Sequence, residues 1–162
     1  MKRIVLLRHA KSYWEWEVSD QDRPLTPKGM QRISQMAQQP DHPFHSVDRI
    51  FSSTANRAIH TAILMLRGAN LPMDLLRLDE SLYTFSATEV VRYIQSMSEK
   101  LSQVILVGHN PAFTETVNRL SDTTVAHLPT AAWAELSFPK EIPWENIQNG
   151  TMRLGIPKQI LR

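Results

Sequence analysis

The sequence of 162 residues contains no cysteine. This absence excludes disulfide bonds, thiolate catalysis and zinc sites built on cysteine, and it fits a reducing compartment. The chain also lacks an apolar signal region at its start, and no apolar run approaches the roughly 18 residues that a membrane helix needs. We therefore expect a cytoplasmic protein that does not act at a membrane.

The sequence has little excess charge of either sign. Its 18 Lys and Arg residues exceed its 16 Asp and Glu residues by two, and the bases are scattered along the chain. This distribution argues against a nucleic-acid-binding surface and fits a local basic pocket for a small anion. None of the 5 glycines belongs to a Walker loop or a dinucleotide-binding turn, and no aspartate-rich cluster indicates magnesium. We expect neither a cofactor nor a metal.

The length fits a single domain over residues 1–162, and a hydrophobic content of 42% is enough for a proper core. Runs of branched apolar residues predict strands buried on both faces at 3–7 and 103–108, with further strands at 47–51 and 74–78.

Helix signals follow each of these strands. Thr26 is placed to cap a helix that ends near residue 40, and Ser53 or Thr54 to cap the next, with Gly68 at its carboxyl end. A third helix follows Ser86 to about residue 100, and a fourth runs from residue 110 or 111 toward 120.

This alternation predicts an α/β fold of three layers, with a mostly parallel central sheet flanked by helices. Two further strands, at 131–138 and 150–156, have no helix between them. They predict an antiparallel edge of the sheet at the carboxyl-terminal end of the chain.

Polar side chains occur where the predicted strands end. Arg8 and His9 follow the first strand, Arg57 lies at the start of the second helix, His109 follows the second buried strand, and Glu80 follows the strand at 74–78. Each has an ordinary structural interpretation, such as a surface arginine or a solvated turn. Because the carboxyl ends of parallel strands share one edge of the sheet, we expect these side chains to converge there.

A crevice with two arginines and two histidines has the chemistry needed for phosphoryl transfer. Guanidinium groups match the oxygens of a phosphoryl group, and an imidazole can act as a nucleophile near neutral pH. Catalysis of this reaction consists mostly of positioning and of stabilising charge on the equatorial oxygens. The sequence therefore predicts a site for phosphoryl transfer.

Four segments resemble the histidine phosphatase superfamily, the phosphoglycerate-mutase-like group. They read LLRHAKS at 6–12, RPLTPKG at 23–29, SSTANRAIHTA at 52–62 and VGHNP at 107–111. The resemblance runs in order from the first strand to residue 113, and the short chain is similar to the SixA-type phosphohistidine phosphatases. One departure is Ala10, which stands where the family usually has glycine.

The resemblance implies a role for each matching residue. His9 would take the phosphoryl group as a covalent phosphohistidine, Arg8 and Arg57 would hold its oxygens, and His109 would stabilise the transition state. Ser12 stands where the family often has a hydroxyl near the phosphate. Glu80 falls near the general acid of larger members, although the match there is loose.

We expect a metal-independent phosphatase whose substrate is phosphohistidine on a protein. A short chain leaves the site open for lack of a lid, and an open site favours a phosphate carried by a protein. The alternatives are a phosphatase of small phosphoesters and a catalytically silent module that binds phosphate or a partner. An unprotonated His9 needs an acceptor for the proton on its other ring nitrogen, and we expect activity to fall below roughly pH 6.

The aromatic residues Tyr13, Trp14, Trp16 and Trp144 could form a recognition surface or cover the core. Because large aromatic side chains contribute most by burial, we predict that they cover the core.

Overall fold

The computed structural model describes residues 1–161 and contains a six-stranded sheet flanked by helices. The strands are β1 (Lys2–Arg8), β2 (Arg49–Ser52), β3 (Leu76–Leu78), β4 (Gln103–Gly108), β5 (Trp133–Phe138) and β6 (Thr151–Gly155). The helices are α1 (Pro27–Ala37), α2 (Asn56–Gly68), α3 (Ala87–Gln95), α4 (Ala112–Leu120) and the short α5 (Pro157–Ile160). Within residues 1–161, no helix combines the length and the apolar character needed to cross a membrane.

The strands lie in the order β3-β2-β4-β1-β5-β6. The first four in this order pair in parallel, whereas β5 is antiparallel to β1 and β6 is antiparallel to β5. This arrangement confirms the predicted α/β fold and its antiparallel edge. Strand β1 lies between β4 and β5, so it is a central strand although it begins the chain.

Side chains of β1 alternate between two apolar cores, one on each face of the sheet. Ile4 and Leu6 belong to the core that also contains apolar residues of α3 and α4. Val5 and Leu7 belong to the opposite core, with apolar residues of α1 and α2. All four side chains are completely buried, which explains why this strand has no polar alternation.

Helix α1 begins as predicted. Thr26 is its N-cap, and the Thr26 hydroxyl accepts a hydrogen bond of 3.0 Å from the Gly29 amide. Gly29 is required by packing, since a Cβ atom there would lie 2.3 Å from the carbonyl oxygen of Lys11. The loop that follows His9 and Ala10 therefore runs directly against the first turn of α1.

We predict that Gly29→Ala destabilises the protein by roughly 2 kcal/mol, because the new methyl group must displace backbone rather than a flexible side chain. In an open helix the same change would stabilise by up to about 1 kcal/mol. Urea unfolding measures the difference, and Lys28→Ala, at an exposed position of the same turn, is the control. A Gly29→Ala protein as stable as the unmodified chain would show that this close approach does not exist.

The ends of α2 differ from the prediction. Its N-cap is Ala55, without a side-chain hydrogen bond, rather than Ser53 or Thr54. The Ser53 hydroxyl accepts the amide of Ala55 and turns toward the sheet edge. At the other end, Gly68 is still helical, and α1 packs too closely there for a larger residue. The left-handed conformation is adopted by Asn70 instead, with a φ of 58°.

Two further predicted boundaries are wrong. Helix α3 ends at Gln95 rather than near residue 100, because the Ser98 hydroxyl accepts the amide of Lys100 outside the helix. Residues 73–75 form a 3-10 turn, so β3 is limited to Leu76–Leu78.

Candidate active site

The pairing of β1 with β4 brings the two predicted histidines together. Arg8 pairs with Gly108 at the carboxyl ends of these strands, and the amide of His9 donates to the Gly108 carbonyl over 3.1 Å. The rings of His9 and His109 are therefore neighbours, with centroids 5.3 Å apart. The space that Gly108 leaves is taken by the ring of Phe113.

The imidazole of His9 has a fixed orientation. Its Nδ1 lies 2.7 Å from the carbonyl oxygen of Ala10, which can only accept a hydrogen bond. Nδ1 therefore carries the proton, and the lone pair is on Nε2. The amide of Ala10 donates to Thr61 Oγ1 over 2.9 Å, and this bond ties the segment to α2. The Ala10 methyl group is completely buried, so the departure from glycine is accommodated in the core.

Burial is the largest cause that lowers the pKa of His9 well below 6.5. The positive charges of Arg57 and Arg8 and the neighbouring His109 lower this pKa further, against the opposing effect of the Ala10 carbonyl. The lowered pKa favours the neutral imidazole of His9. The expected fall of activity below roughly pH 6 stays a prediction.

His109 is a neutral imidazole as well. Burial, followed by the charge of Arg57, lowers its pKa from 6.5 to about 3. Its Nε2 lies 2.7 Å from Ser53 Oγ, which already accepts the amide of Ala55. Among the described residues His109 Nε2 is the acceptor within reach of the Ser53 hydroxyl proton, and a hydrogen bond donated by Ser53 leaves the ring proton of His109 on Nδ1.

The two arginines are held by hydrogen bonds to other segments of the chain. Arg57 lies in the first turn of α2, where its Nη1 donates to the main-chain oxygen of Asp20 over 2.6 Å and its Nη2 to the Asp20 carboxylate over 3.0 Å. Arg8 donates from Nη1 to the carbonyl of Leu128 over 3.0 Å. These bonds fix both guanidinium planes.

Three buried nitrogens of this cluster have no hydrogen-bond partner within residues 1–161: Arg8 Nε, Arg57 Nε and His109 Nδ1. A buried polar group without a partner costs roughly 1–3 kcal/mol, so native structures seldom retain one without a reason. Three such nitrogens, on residues close enough to affect the pKa of His9, match an anion with several acceptor oxygens. Inorganic phosphate and phosphoryl groups have this character.

Asp20 belongs to the site and was not among the predicted residues. It forms part of a short 3-10 turn, Asp20–Asp22, and also accepts the hydroxyl of Tyr83 over 2.6 Å. Partial burial raises the pKa of Asp20, but the hydrogen bonds from Tyr83 and Arg57 outweigh it and lower the net pKa. The sequence indicates only that a buried Arg57 needs a negatively charged partner. It does not indicate which loop supplies that partner.

Ser12 and Arg23 form a second part of the site entrance. Arg23 is buried, and its Nη1 donates to Ser12 Oγ over 2.8 Å. The guanidinium of Arg23 lies 3.7 Å from the ring centroid of Trp14. The Ser12 hydroxyl is therefore oriented by Arg23, and its predicted contact with phosphate stays a prediction.

The aromatic residues divide between core and surface. Trp144 is completely buried, as predicted. The prediction is wrong for Trp14 and Trp16, which are 76% and 51% exposed. Trp14 covers the Arg23 guanidinium and Trp16 stacks on Tyr13, so these rings have polar or aromatic partners without entering the core.

Glu80 makes no hydrogen bond with the other predicted catalytic residues in the described structure. Its side chain is exposed at the start of a 3-10 turn, Glu80–Leu82. The aromatic residues that follow this turn pack on His109 instead, with centroid distances of 5.6 Å for Tyr83 and 5.4 Å for Phe85. A role of Glu80 as proton donor therefore stays a prediction. Across residues 1–161, no group of three His, Asp or Glu side chains is placed to hold a metal ion.

A model of the histidine phosphatase superfamily (branch 1) matches residues 4–84, which is half of the chain. The chain belongs to this superfamily. An uncharacterized protein of Mycobacterium tuberculosis strain H37Rv is 31% identical over 105 residues, which cover 65% of this chain and 63% of the relative. The chain thus matches less than two thirds of the length of this superfamily relative.

Solved structures of similar fold include phosphatases of different kinds. The protein histidine phosphatase SixA complexed with tungstate is 23% identical, with 99% of each chain covered and a TM-score of 0.81. The alpha-ribazole phosphatase from Shigella flexneri is 18% identical, with 94% of this chain and 95% of the other covered and a TM-score of 0.66. At these identities the likeness establishes a common fold.

Proposed function

We propose that this chain is a metal-independent phosphatase that works through a covalent phosphohistidine on His9. One observation carries the proposal. The Nε2 atom of His9 is unprotonated, and it lies beside three buried nitrogens, Arg8 Nε, Arg57 Nε and His109 Nδ1, that have no hydrogen-bond partner in the described chain. Membership of the histidine phosphatase superfamily supports a phosphatase.

In the first step, the lone pair of His9 Nε2 attacks phosphorus, so that an N–P bond forms as the bond to the leaving group breaks. Arg8 and Arg57 donate hydrogen bonds to the equatorial oxygens. His109 donates a hydrogen bond from its Nδ1–H to the phosphoryl group from the opposite side. The leaving group departs with the bonding electrons and takes up a proton from solvent, or from Glu80 if that residue is the acid. Water then attacks the phosphohistidine, releasing inorganic phosphate and regenerating the neutral imidazole.

Phosphohistidine on a protein is the proposed substrate. The site entrance carries exposed aromatic side chains, among them Trp14 and Phe85, where a phosphorylated protein could make contact. A P–N bond is labile, and an imidazole leaving group has little need of a dedicated acid, which agrees with the exposed position of Glu80.

A small phosphoester is the second candidate. A cavity of about 350 Å³ lies beside Arg8, and this volume suits a small molecule better than a flat protein surface.

The proposal is tested by incubating the protein, with EDTA present, with a phosphohistidine protein and with an aryl phosphate. We expect turnover in EDTA and, after a rapid alkaline quench, a phosphoenzyme that is stable to alkali, labile to acid and located by mass spectrometry on the peptide that contains His9. The faster substrate decides between the two candidates. Phosphate binding without turnover of either substrate would instead indicate a silent binding module.

Asp20 is expected to act as a positioning residue for Arg57. Asp20→Ala should lower kcat/KM roughly tenfold to a hundredfold, because the Arg57 guanidinium loses a charge-assisted hydrogen bond that fixes its plane. Asp20→Asn retains an acceptor and should recover most of this loss. Asp22→Asn is the matched control, since the Asp22 carboxylate bonds to Ser19. Equal activity of Asp20→Ala and the unmodified chain would refute the role.

Glu80 is tested by comparing leaving groups. If Glu80 donates a proton, Glu80→Gln should slow an alkyl phosphate roughly a hundredfold, because an alkoxide is a poor leaving group. The rates on an aryl phosphate with an acidic phenol and on phosphohistidine should change less than about threefold. A uniform loss on all three substrates, or no loss on any, would rule out proton donation by Glu80.

A further inference from the structure

The cavity of about 350 Å³ beside Arg8 is lined by cationic side chains from three parts of the chain. Arg8 comes from the end of β1, Arg32 from α1 and Lys158 from the carboxyl-terminal α5. No Asp or Glu lies among its described lining residues. Three cationic side chains and no acidic one in the described lining make a local field that favours an anion.

Arg8 connects this cavity to the proposed phosphoryl site. Its buried Nε belongs to the three nitrogens without partners in the described chain, whereas its Nη1 bonds to the loop that borders the cavity, at the carbonyl of Leu128. His127 of the same loop has Nε2 3.4 Å from this Nη1 and also lines the cavity. A molecule held by Arg8 at its phosphoryl group therefore has the cavity directly beside it.

The remaining walls are mainly apolar. Pro129, Ile156 and Pro157 lie between the cationic groups. Such walls suit the hydrocarbon part of a ligand, and they strengthen the attraction between the cationic groups and an anion by excluding water.

We propose that this cavity is a subsite for a second anionic group, a carboxylate or a phosphate, carried by the molecule whose phosphoryl group is transferred. Arg32 and Lys158 hold that group, and Arg8 spans the two sites. The inference deepens the proposed phosphatase function, because it makes the second charge of the substrate a determinant of specificity. The anion is either part of a small phosphoester or an acidic side chain beside a phosphohistidine.

Binding of non-hydrolysable probes tests the subsite without relying on turnover. Calorimetry compares phenylphosphonate with its ortho-, meta- and para-carboxylated forms. We expect at least one carboxylated isomer to bind roughly tenfold more tightly than phenylphosphonate. In the double variant Arg32→Gln, Lys158→Gln this advantage should vanish, while the affinity for phenylphosphonate changes less than about twofold.

Lys28→Gln is the matched control, because Lys28 is an exposed base on the helix that carries Arg32. If the unmodified chain does not distinguish the probes, if the double variant keeps the advantage, or if Lys28→Gln loses it equally, the subsite is refuted. Hydrolysis of phenyl phosphate is measured in parallel. An absence of hydrolysis with a retained carboxylate advantage would reject the phosphatase proposal and leave the anion subsite standing.

A pair of phosphohistidine peptides, with Glu or Gln near the phosphorylated residue, identifies the source of the anion. Faster turnover of the Glu peptide, abolished in the double variant, assigns the subsite to an acidic side chain of a phosphoprotein. Equal turnover of the two peptides together with the carboxylate advantage in the phosphonates assigns it to a small molecule.

Discussion

Replacing His9 by alanine is expected to abolish phosphoryl transfer, with a fall in kcat/KM of roughly four orders of magnitude or more. A loss of this size is typical when the nucleophile of an enzyme with a covalent intermediate is removed. The phosphoenzyme should disappear together with the activity.

The neighbouring His109 is not placed to substitute for His9. The ring of His109 is centred 5.3 Å away, and its Nε2 is bound to Ser53. The chain contains no cysteine that could attack in its place.

The defect should lie in the chemical step rather than in binding. Arg8 and Arg57 keep their positions in His9→Ala, because their hydrogen bonds run to Leu128 and Asp20. Inorganic phosphate should therefore still bind, within about threefold of its original affinity by calorimetry. His45→Ala, at an exposed position outside the site, is the control. A His9→Ala protein that retains turnover or an alkali-stable phosphoenzyme would disprove the covalent mechanism.

Much of this site could be predicted because strand order and burial constrain it. Two apolar strands with no polar alternation must lie inside a parallel sheet, and the residues that end them must share an edge. That reasoning placed Arg8, His9 and His109 together, and the helix start after β2 added Arg57.

The loop residues could not be placed in the same way. Asp20 and Tyr83 meet at Arg57 although they are separated by 63 positions in the chain. No periodicity specifies such a contact, because loop conformation depends on tertiary packing. Trp14 was misjudged for the same reason, since its partner is the guanidinium of Arg23 and not the core. Likewise, the cap assigned to Ser53 was wrong because its hydroxyl faces His109.

We expect the free energy of unfolding to fall steeply as the pH drops below about 6.5. His9 and His109 are buried as neutral imidazoles with lowered pKa values, and both become protonated in the unfolded chain near the ordinary histidine pKa. Below that pH the unfolded state binds more protons than the folded state, so acid favours unfolding.

For His109 the window extends from about 6.5 down to its folded pKa of about 3, and within it the free energy of unfolding should fall by about 1.4 kcal/mol per pH unit. The lowered pKa of His9 acts in the same direction.

Urea unfolding at pH 7.0, 6.0 and 5.0 measures how the free energy of unfolding changes with pH. Carboxylates also contribute to this change, so the contribution of a histidine is found by comparing a histidine variant with the unmodified chain. In His109→Gln the slope between about pH 6 and pH 5 should be smaller by about 1.4 kcal/mol per pH unit, because one proton fewer is taken up on unfolding. A slope in His109→Gln equal to that of the unmodified chain would mean that His109 is already charged in the folded protein. The mechanism would then need an imidazolium at this position, and His109 would stabilise the transferring phosphoryl group by its full charge rather than by a single N–H donor.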